Sequence, residues 1–308
     1  IGRQGAFCGN VRYFTGKAYM TEHAVVVCAN KDHNTRYLAY LLSTMNLGRL
    51  SGQSAQPGLS VKTLAKQSVW LPSLDHQKQI VAVLSSLDDK IELNQKINDN
   101  LQRQAQALFK AWFVNFIPFG GNVPDDWKCI DFSEFLLPRT VKSNDPSLPM
   151  FSVTDNGIFP REEKFKKNLS MANTKSKVVY QTDLVFGMSR EILNWGIMRH
   201  PIGGVSSAYN VYQVDEQINS FYLESYIKAN RQYFKDLIRP ASREGQGIDK
   251  SALMQKVLLM PSQTVLEQYY VIENALTQTA THVLAESQHL ADIRDTLLPK
   301  LMSGEIDL

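Results

Sequence analysis

Cysteine, histidine and long apolar runs are what this 308-residue sequence has least of. Its three cysteines, Cys8, Cys28 and Cys129, are an odd number without metal-type spacing, so the expectation is reduced thiols in a cytoplasmic protein rather than a disulfide framework. No stretch approaches the ~18 uncharged apolar residues of a membrane helix. No basic segment followed by an apolar one opens the chain, so a secreted protein is not expected. The six histidines (His23, His33, His76, His200, His282, His289) form no H-x-x-x-H or C-x-x-C site, and no metal ligands are assigned. His282 and His289 are read as solvated or interhelical. A phosphate-cradling G-x-x-x-x-G-K-[ST] loop is absent, because Val11 stands where its first glycine would precede Gly16-Lys17; G-x-G-x-x-G is absent too. So is the Asn/Asp-Pro-Pro-aromatic tetrapeptide of methyltransferases. One carboxylate set remains, Asp125 with Glu162, Glu163 and Lys164, which could hold a divalent metal for phosphodiester hydrolysis. Pro124-Asp125-Asp126-Trp127 also reads as a domain-opening turn, and Glu162 to Lys167 as a solvated charged face. A metal-dependent nuclease using Asp125, Glu163 and Lys164 is therefore the alternative, and no catalytic residue is assigned.

What is present is a pair of long heptad stretches. Between Leu74 and Phe116, one seam carries Ile80, Leu87, Asn94, Leu101 and Leu108, and the other Leu84, Ile91, Asn98, Ala105 and Trp112. Between Gln263 and Leu298 the seams carry Tyr269, Leu276, Val283, Leu290 and Leu297, beside Val265, Ile272, Thr279, Glu286 and Ile293. A strict seven-residue repeat keeps one stripe of a helix against a partner. Both stretches are apolar at their ends and polar in the middle, where Asn94 and Asn98 on one and Thr279 and Glu286 on the other select register at some cost in stability. Ser73 or Asp75 is expected to cap the first helix, Ile117-Pro118 to end it and Gly120-Gly121 to make a hinge. Leu298-Pro299 is expected to end the second. Elsewhere Ala24 to Ala29 reads as a strand, Tyr37 to Thr44 as a helix and Ser51 to Ser60 as a loop.

Each long stretch follows a copy of the same unit. GLSVKTLAKQSVWLPS (58–73) lies over GIDKSALMQKVLLMPS (247–262) at an offset of 189, matching Gly58 with Gly247, Leu64 with Leu253, and Pro72-Ser73 with Pro261-Ser262. Upstream the offset is 185, with Thr21 over Ser206, Val26 over Val211, and Arg36-Tyr37-Leu38 over Phe221-Tyr222-Leu223. Two equivalent units in one chain are expected to pack about a pseudo-two-fold axis, the helices running antiparallel so that their polar middles meet. The expected fold is α+β: two pseudo-repeated α/β domains joined by two long antiparallel coiled-coil helices. Residues 1–70 and 118–260 form the domains, 71–117 the first spacer helix, and 261–308 the second spacer helix and tail. About 41 residues at 1.5 Å each give a spacer of roughly 60 Å. DNA turns once in ~34 Å, so two readers held apart would address two patches on one duplex.

Charge follows this division. Lys+Arg against Asp+Glu gives 8 and 2 over residues 1–73, 5 and 5 over 74–116, 10 and 6 over 139–200, and 2 and 7 over 263–308. The net charges are +6, 0, +4 and −5, so the basic surface lies in the blocks between helices, pointing to a polyanion, and the acidic last helix points to a protein partner. Arg3, Gln4, Arg12 and Lys17 sit among glycines and aromatics. Lys164, Lys166, Lys167, Lys175 and Lys177 are dense enough for phosphate contacts, and Ser189, Arg190 and Asn194 could reach base edges. The loops Ser51–Ser60 and Arg239–Lys250 precede equivalent helix starts, and their Gln53, Gln56, Arg239, Ser242, Arg243 and Gln246 carry base-reading donors and acceptors. A coiled-coil scaffold that binds only protein is the other alternative.

LPSLDHQKQIVAVLSSLDDKIELNQKINDNLQRQAQALFKAWFVNF (71–116) strongly resembles the central spacer of the specificity subunits of Type I restriction–modification systems. DTLLPKLMSGEIDL (295–308) is similar to their C-terminus, and IGRQGAFCGNVRY (1–13) and FSVTDNGIFPREEKFKK (151–167) resemble parts of their target recognition domains. The resemblance implies that each recognition domain reads one half of a split, asymmetric DNA site. It implies that the helices set the gap and dock methyltransferase subunits, two in number, which carry S-adenosylmethionine and methylate adenine. Motor-nuclease subunits would join for cleavage, and this chain would bind no cofactor and do no catalysis. It further implies that residues 1–70 are the C-terminal part of a first recognition domain, the rest of which belongs to a longer chain or is supplied by another.

Overall fold

In a computed structural model of the chain, residues 1–51, 58–143, 145–161, 176–189, 191–238 and 247–308 are described. They form two compact units, Ile1–Gln102 with Leu276–Leu308, and Arg103–Ala275. Among the described residues, no helix is long and apolar enough to cross a membrane.

In the first unit, helix α1 (Thr35–Thr44) starts where the Asn34 side chain accepts the N–H groups of Arg36 and Tyr37 at 2.9 and 3.1 Å, satisfying two donors that have no partner inside the helix. The short helix α2 (Val61–Ala65) is capped by Ser60, whose hydroxyl accepts from Thr63 N–H at 3.0 Å. Helix α3 (Leu74–Phe113) then begins, with Ser73 Oγ accepting His76 N–H at 3.3 Å. The cap is thus Ser73 rather than Asp75. α3 stops three residues short of the expected Phe116. Val114 and Asn115 both donate to Lys110 O, Phe116 turns left-handed at φ 52°, and Gly120 and Gly121 follow at φ 71° and 83°. Ala24–Ala29 is not a strand. Ala24 makes a single bridge with Gly2, and no neighbouring strand completes a ladder among the described residues, which leaves Val26 66% exposed.

The second unit holds the sheets. Strand β1 (Lys128–Asp131), the helical turn α4 (Phe132–Phe135), β2 (Leu136–Pro138), β3 (Lys142–Ser143), β4 (Phe151–Thr154) and β5 (Gly157–Pro160) come first. β6 (Ser176–Tyr180), β7 (Leu184–Phe186), β8 (Trp195–Ile197), β9 (Ile202–Val205) and β10 (Asn210–Val214) follow. Helices α5 (Ser220–Ala229) and α6 (Lys250–Met254) lead into β11 (Val257–Met260) and helix α7 (Gln263–Ser303). Neighbouring strands run β2-β10-β7-β8, β3-β6-β9, β4-β5 and β1-β11, and every pairing is antiparallel. Phe151, Val153, Val179, Val185, Met198, Val205 and Val211 make one apolar cluster. A larger one gathers Phe109 and Phe113 of α3, Tyr222, Leu223 and Ile227 of α5, and Leu266 and Tyr269 of α7.

The internal repeat is visible in the backbone. α1 and α5 occupy residues 35–44 and 220–229, a uniform offset of 185, and both are capped by asparagine, Asn34 and Asn219. α2 and α6 begin 189 residues apart, at Val61 and Lys250, and α3 and α7 do so at Leu74 and Gln263. α7 does not end at Leu298. It continues through Pro299 to Ser303, where Gly304 at φ 74° lets Glu305 donate to Lys300 O. A proline inside a helix removes one hydrogen bond. Here burial of Leu301 and Met302, 3% and 9% exposed, against Tyr37, Ile80 and Leu84 of the first unit offsets that loss.

The seam expected on α3 lies on its non-exposed side throughout, from Ile80 and Leu84 to Leu108 and Trp112. On α7 one column needs correction. Ile272 is 43% exposed and Thr279 is exposed, whereas Leu266, Glu273, Ala280, Ser287, Arg294 and Leu301, each a heptad apart, are not. With Tyr269, Leu276, Val283, Leu290 and Leu297 they complete an unbroken three-four spacing. The true second column is one residue later than read, because apolar Ile272 and Ile293 stand next to its polar members. In the first unit the helices run antiparallel: Ile80 and Leu84 cluster with Leu301, Asp88 Oδ1 accepts from Arg294 Nη1 at 3.0 Å, and Glu286 Oε2 accepts from Asn94 Nδ2 at 2.8 Å. Two of the expected middle polar groups thus meet.

Candidate nucleic-acid interface

The first block is held by a few main-chain bonds rather than a sheet. Gly2 bridges Ala24, Gln4 bridges Gly58, and Leu59 N–H donates to Arg3 O at 2.8 Å. Gly9, at φ 85°, lets the chain pass so close to Gly48 that an added Cβ would lie 2.2 Å from its nitrogen. On this frame the guanidinium of Arg3 donates to Glu22 O at 3.4 Å, and Gln4 Oε1 lies 2.9 Å from His23 Nδ1. Arg12 and Lys17 are exposed. Beside them stand Tyr13, Phe14 and Tyr19, 44%, 55% and 92% exposed. Cations interleaved with open aromatic faces suit a polyanion whose bases can stack. Arg36 stands apart from this group: it lies 5.4 Å from the Tyr13 ring centre but is paired with Asp88 and Asp89.

In the second unit, Lys177 of β6 faces Lys142 of β3 across the ladder. Its ammonium donates to Tyr209 O at 2.6 Å, and burial, then Lys250 and Lys142, hold its pKa below the ordinary lysine value. Lys142 and Lys250 are thus near enough to Lys177 to oppose its charge, a concentration of positive charge suited to a phosphate. Lys142 and Lys250 were missed in the sequence, where they stand apart from the lysine run; the β3–β6 ladder brings Lys142 opposite Lys177, and Lys250 comes near from the start of α6. Arg139 and Arg199 are committed elsewhere, Arg139 to buried Asp183 at 2.8 Å and Arg199 to Glu224. Burial raises the Asp183 carboxyl above its ordinary value, partly offset by Tyr180 N–H and Arg139.

Ser189 and Asn194 do not reach outward. Ser189 is 1% exposed, and its hydroxyl donates to Gly187 O and accepts Asn194 N–H at 2.9 Å. The Asn194 amide donates to Met188 O at 2.6 Å. Both side chains close their own turn, the common alternative use of serine and asparagine. Beside it a cavity of about 260 Å³ has an apolar floor of Leu193, Trp195, Ile227 and Phe234, with Asp155, Glu191, Arg231 and Lys235 also lining it. Gln53, Gln56, Lys164, Lys166, Lys167, Lys175, Arg190, Arg239, Ser242, Arg243 and Gln246 lie outside the described residues, as do Glu162 and Glu163. Asp125 is exposed in a turn. Among the described residues, no group of three or more His, Cys, Asp or Glu side chains could hold a metal.

Residues 2–103 match the family described as Type I restriction modification DNA specificity domain. The EcoprrI specificity subunit of Escherichia coli, a Type I restriction enzyme subunit, is 44% identical over 88 residues, 29% of this chain and 22% of that protein. The MjaIX specificity subunit of Methanocaldococcus jannaschii is 24% identical over 299 residues, 88% of this chain and 69% of that protein. The chain thus spans less than a quarter of the first relative's length and about two thirds of the second's. A solved S subunit of a Type I restriction–modification system from M. genitalium aligns over 88% of this chain and 73% of its own, at 16% identity and a TM-score of 0.49.

Proposed function

We propose that the chain belongs to the specificity subunits of Type I restriction–modification systems and is the non-catalytic, sequence-reading subunit of such a complex, acting in the cytoplasm on double-stranded DNA. The observation that carries this reading is the specificity-domain match over residues 2–103. The internal repeat supports a split, asymmetric site, since each copy of the unit brings its own loop and its own basic block. The charges of Lys142 and Lys250 near Lys177, and the exposed Arg12 and Lys17 with their aromatic neighbours, suit the sequence-independent part of the affinity. The segments Ser51–Ser60 and Arg239–Lys250 would then read bases. The net charge of −5 over residues 263–308 suits docking of two adenine methyltransferase subunits, which would hold S-adenosylmethionine, and motor-nuclease subunits would join them.

The test is methylation of genomic DNA in cells that carry this chain together with its methyltransferase, against cells that lack it. N6-methyladenine at one split motif supports the proposal. Its absence with a proven active partner removes it. Within the same complex, Arg243→Ala should cost roughly 1–3 kcal/mol of discrimination at one base, whereas Lys166→Ala should weaken all duplexes alike and lower the salt dependence. Equal losses on every duplex would remove Arg243 as a reader.

A further inference from the structure

The two copies of the repeat differ at one strand. In the second unit β11 is paired along its length by β1, from Lys128 opposite Met260 to Asp131 opposite Val257. The chain then enters α4, where Phe132 N–H donates to Lys256 O at 2.8 Å. Phe132 and Phe135, 0% and 3% exposed, close over Leu253, Leu258 and Phe234 in one apolar cluster. Trp127, directly before the strand, packs on Phe113, Phe116 and Phe119 at ring separations of 5.8, 5.8 and 5.3 Å.

At the offset of 189, β11 corresponds to Ser68–Leu71, Leu253 to Leu64 and Lys256 to Gln67. Among the described residues, the N–H groups of Ser68, Val69, Trp70 and Leu71 make no backbone hydrogen bond. Val69 is 37% exposed where its counterpart Leu258 is 0%, and Trp70 is 76% exposed. Trp127 precedes the residue opposite Met260, so the corresponding place in the first unit lies beside Leu71 and Pro72. There a groove of about 440 Å³ is lined by Tyr37, Trp70, Pro72, His76, Ile80 and Leu301.

We infer that Ser68–Leu71 is a receiving edge for a polypeptide segment of the make of residues 127–135. Such a segment has a bulky aromatic for the groove, a short antiparallel strand for the edge, and an apolar helical turn to cover Leu64 and Val69. An open edge with an apolar face is a template for strand addition, in which main-chain bonds supply affinity and alternate side chains supply selectivity. The repeat identifies the occupant, because the second unit carries the same surface already covered. The inference stands on that equivalence and is independent of DNA reading.

The probe is a synthetic peptide of residues 125–138 with Cys129→Ser, added to the full chain and followed by anisotropy and by amide hydrogen exchange. Saturable binding is expected, with exchange at 68–71 slowed roughly tenfold or more and binding to Trp70→Lys weaker by a similar factor. Trp70 is exposed, so this variant should still fold, and unchanged exchange within α1 of the same unit in the absence of peptide checks that it does. Three results would overturn the inference. One is unchanged exchange at 68–71 with peptide in excess, and another is protection confined to 257–260. The third is slow exchange at 68–71 without peptide that tracks the chain's own concentration, which would assign the edge to a second copy.

Discussion

Tyr222 and Tyr37 stand at the same position of the two repeat copies, each 1% exposed, and are buried by different means. Around Tyr222 the surroundings are aromatic: Phe109 and Phe113 lie at ring separations of 5.6 and 5.2 Å, and its hydroxyl donates to Leu259 O at 2.5 Å. Burial, then the neighbouring Tyr226, Tyr270 and Tyr269, raises that phenol well above its ordinary pKa. Tyr37 shares a small aliphatic cluster with Ile80, Leu84, Leu301 and Met302. Nearby, Tyr40 and Arg294 both bond to Asp88, and Arg36 pairs with it at 3.8 Å. Burial, then Asp88, pushes Tyr40 up to about 12. Equal burial of one residue therefore does not imply equal support. The second copy is stabilised by a large core, the first by its helix pair and a polar cluster.

The largest effect should come from the core that only the second copy has. Phe132→Ala removes a fully buried ring and should cost about 3–5 kcal/mol in the second unit's denaturant transition. Trp70→Ala, in the uncovered segment of the first copy that corresponds to β11, should stay within about 0.5 kcal/mol in the chain alone. Similar losses for the two would break the contrast between a covered and an uncovered copy.

The parts of the fold legible in the sequence were those set by local chemistry. Heptad spacing located both long helices, and the Gly, Pro-Ser and tyrosine matches located the repeat, because caps and turns impose particular residue types at particular offsets. The second column of α7 was misread because its members Glu273, Ser287 and Arg294 are polar, and only the pairing of Arg294 with Asp88 on α3 shows why a charge belongs there. Val25 to Val27 resembled a strand because β-branched runs favour one, yet a strand needs a neighbour that no local pattern supplies. At the candidate interface, Arg12 and Lys17 were legible as exposed cations, whereas Ser189 and Asn194 were not legible as turn-closing residues, since the same groups serve bases and backbone alike. Lys142 and Lys250 come near Lys177 only through tertiary structure.

The polar cluster gives the next effect. Asp88→Ala leaves Arg36, Tyr40 and Arg294 without their shared acceptor and should destabilise the first unit by about 1–3 kcal/mol while leaving exchange in the second unit's strands unchanged. Loss spread evenly over both units would show that the polar cluster is not particular to the first. Smaller again are the caps, where the copies should behave alike. Asn34→Ala and Asn219→Ala should each cost about 1 kcal/mol, read as faster exchange in the first turns of α1 and α5. A clear inequality would mean that the surrounding core, and not the shared cap, holds the helix start.

The smallest effect, and the one most particular to the helix pair, concerns Glu286. The Asn94 amide and then the Lys90 ammonium, 3.4 Å away, hold its carboxyl below the ordinary glutamate value. A depressed folded pKa stabilises at pH above the unfolded value, and that contribution fades as pH falls through the lowered one. The first unit should therefore soften in acid within and below the glutamate range, by an amount that Asn94→Leu reduces. The same substitution replaces a buried polar group in the seam with an apolar one, so at neutral pH it should leave the pair as stable or more so while relaxing its register. Thermal melts followed by circular dichroism across that pH range, for the unchanged chain and for Asn94→Leu, separate the two consequences. An acid dependence of the same size in both would detach Glu286 from the seam and leave register to the apolar residues alone.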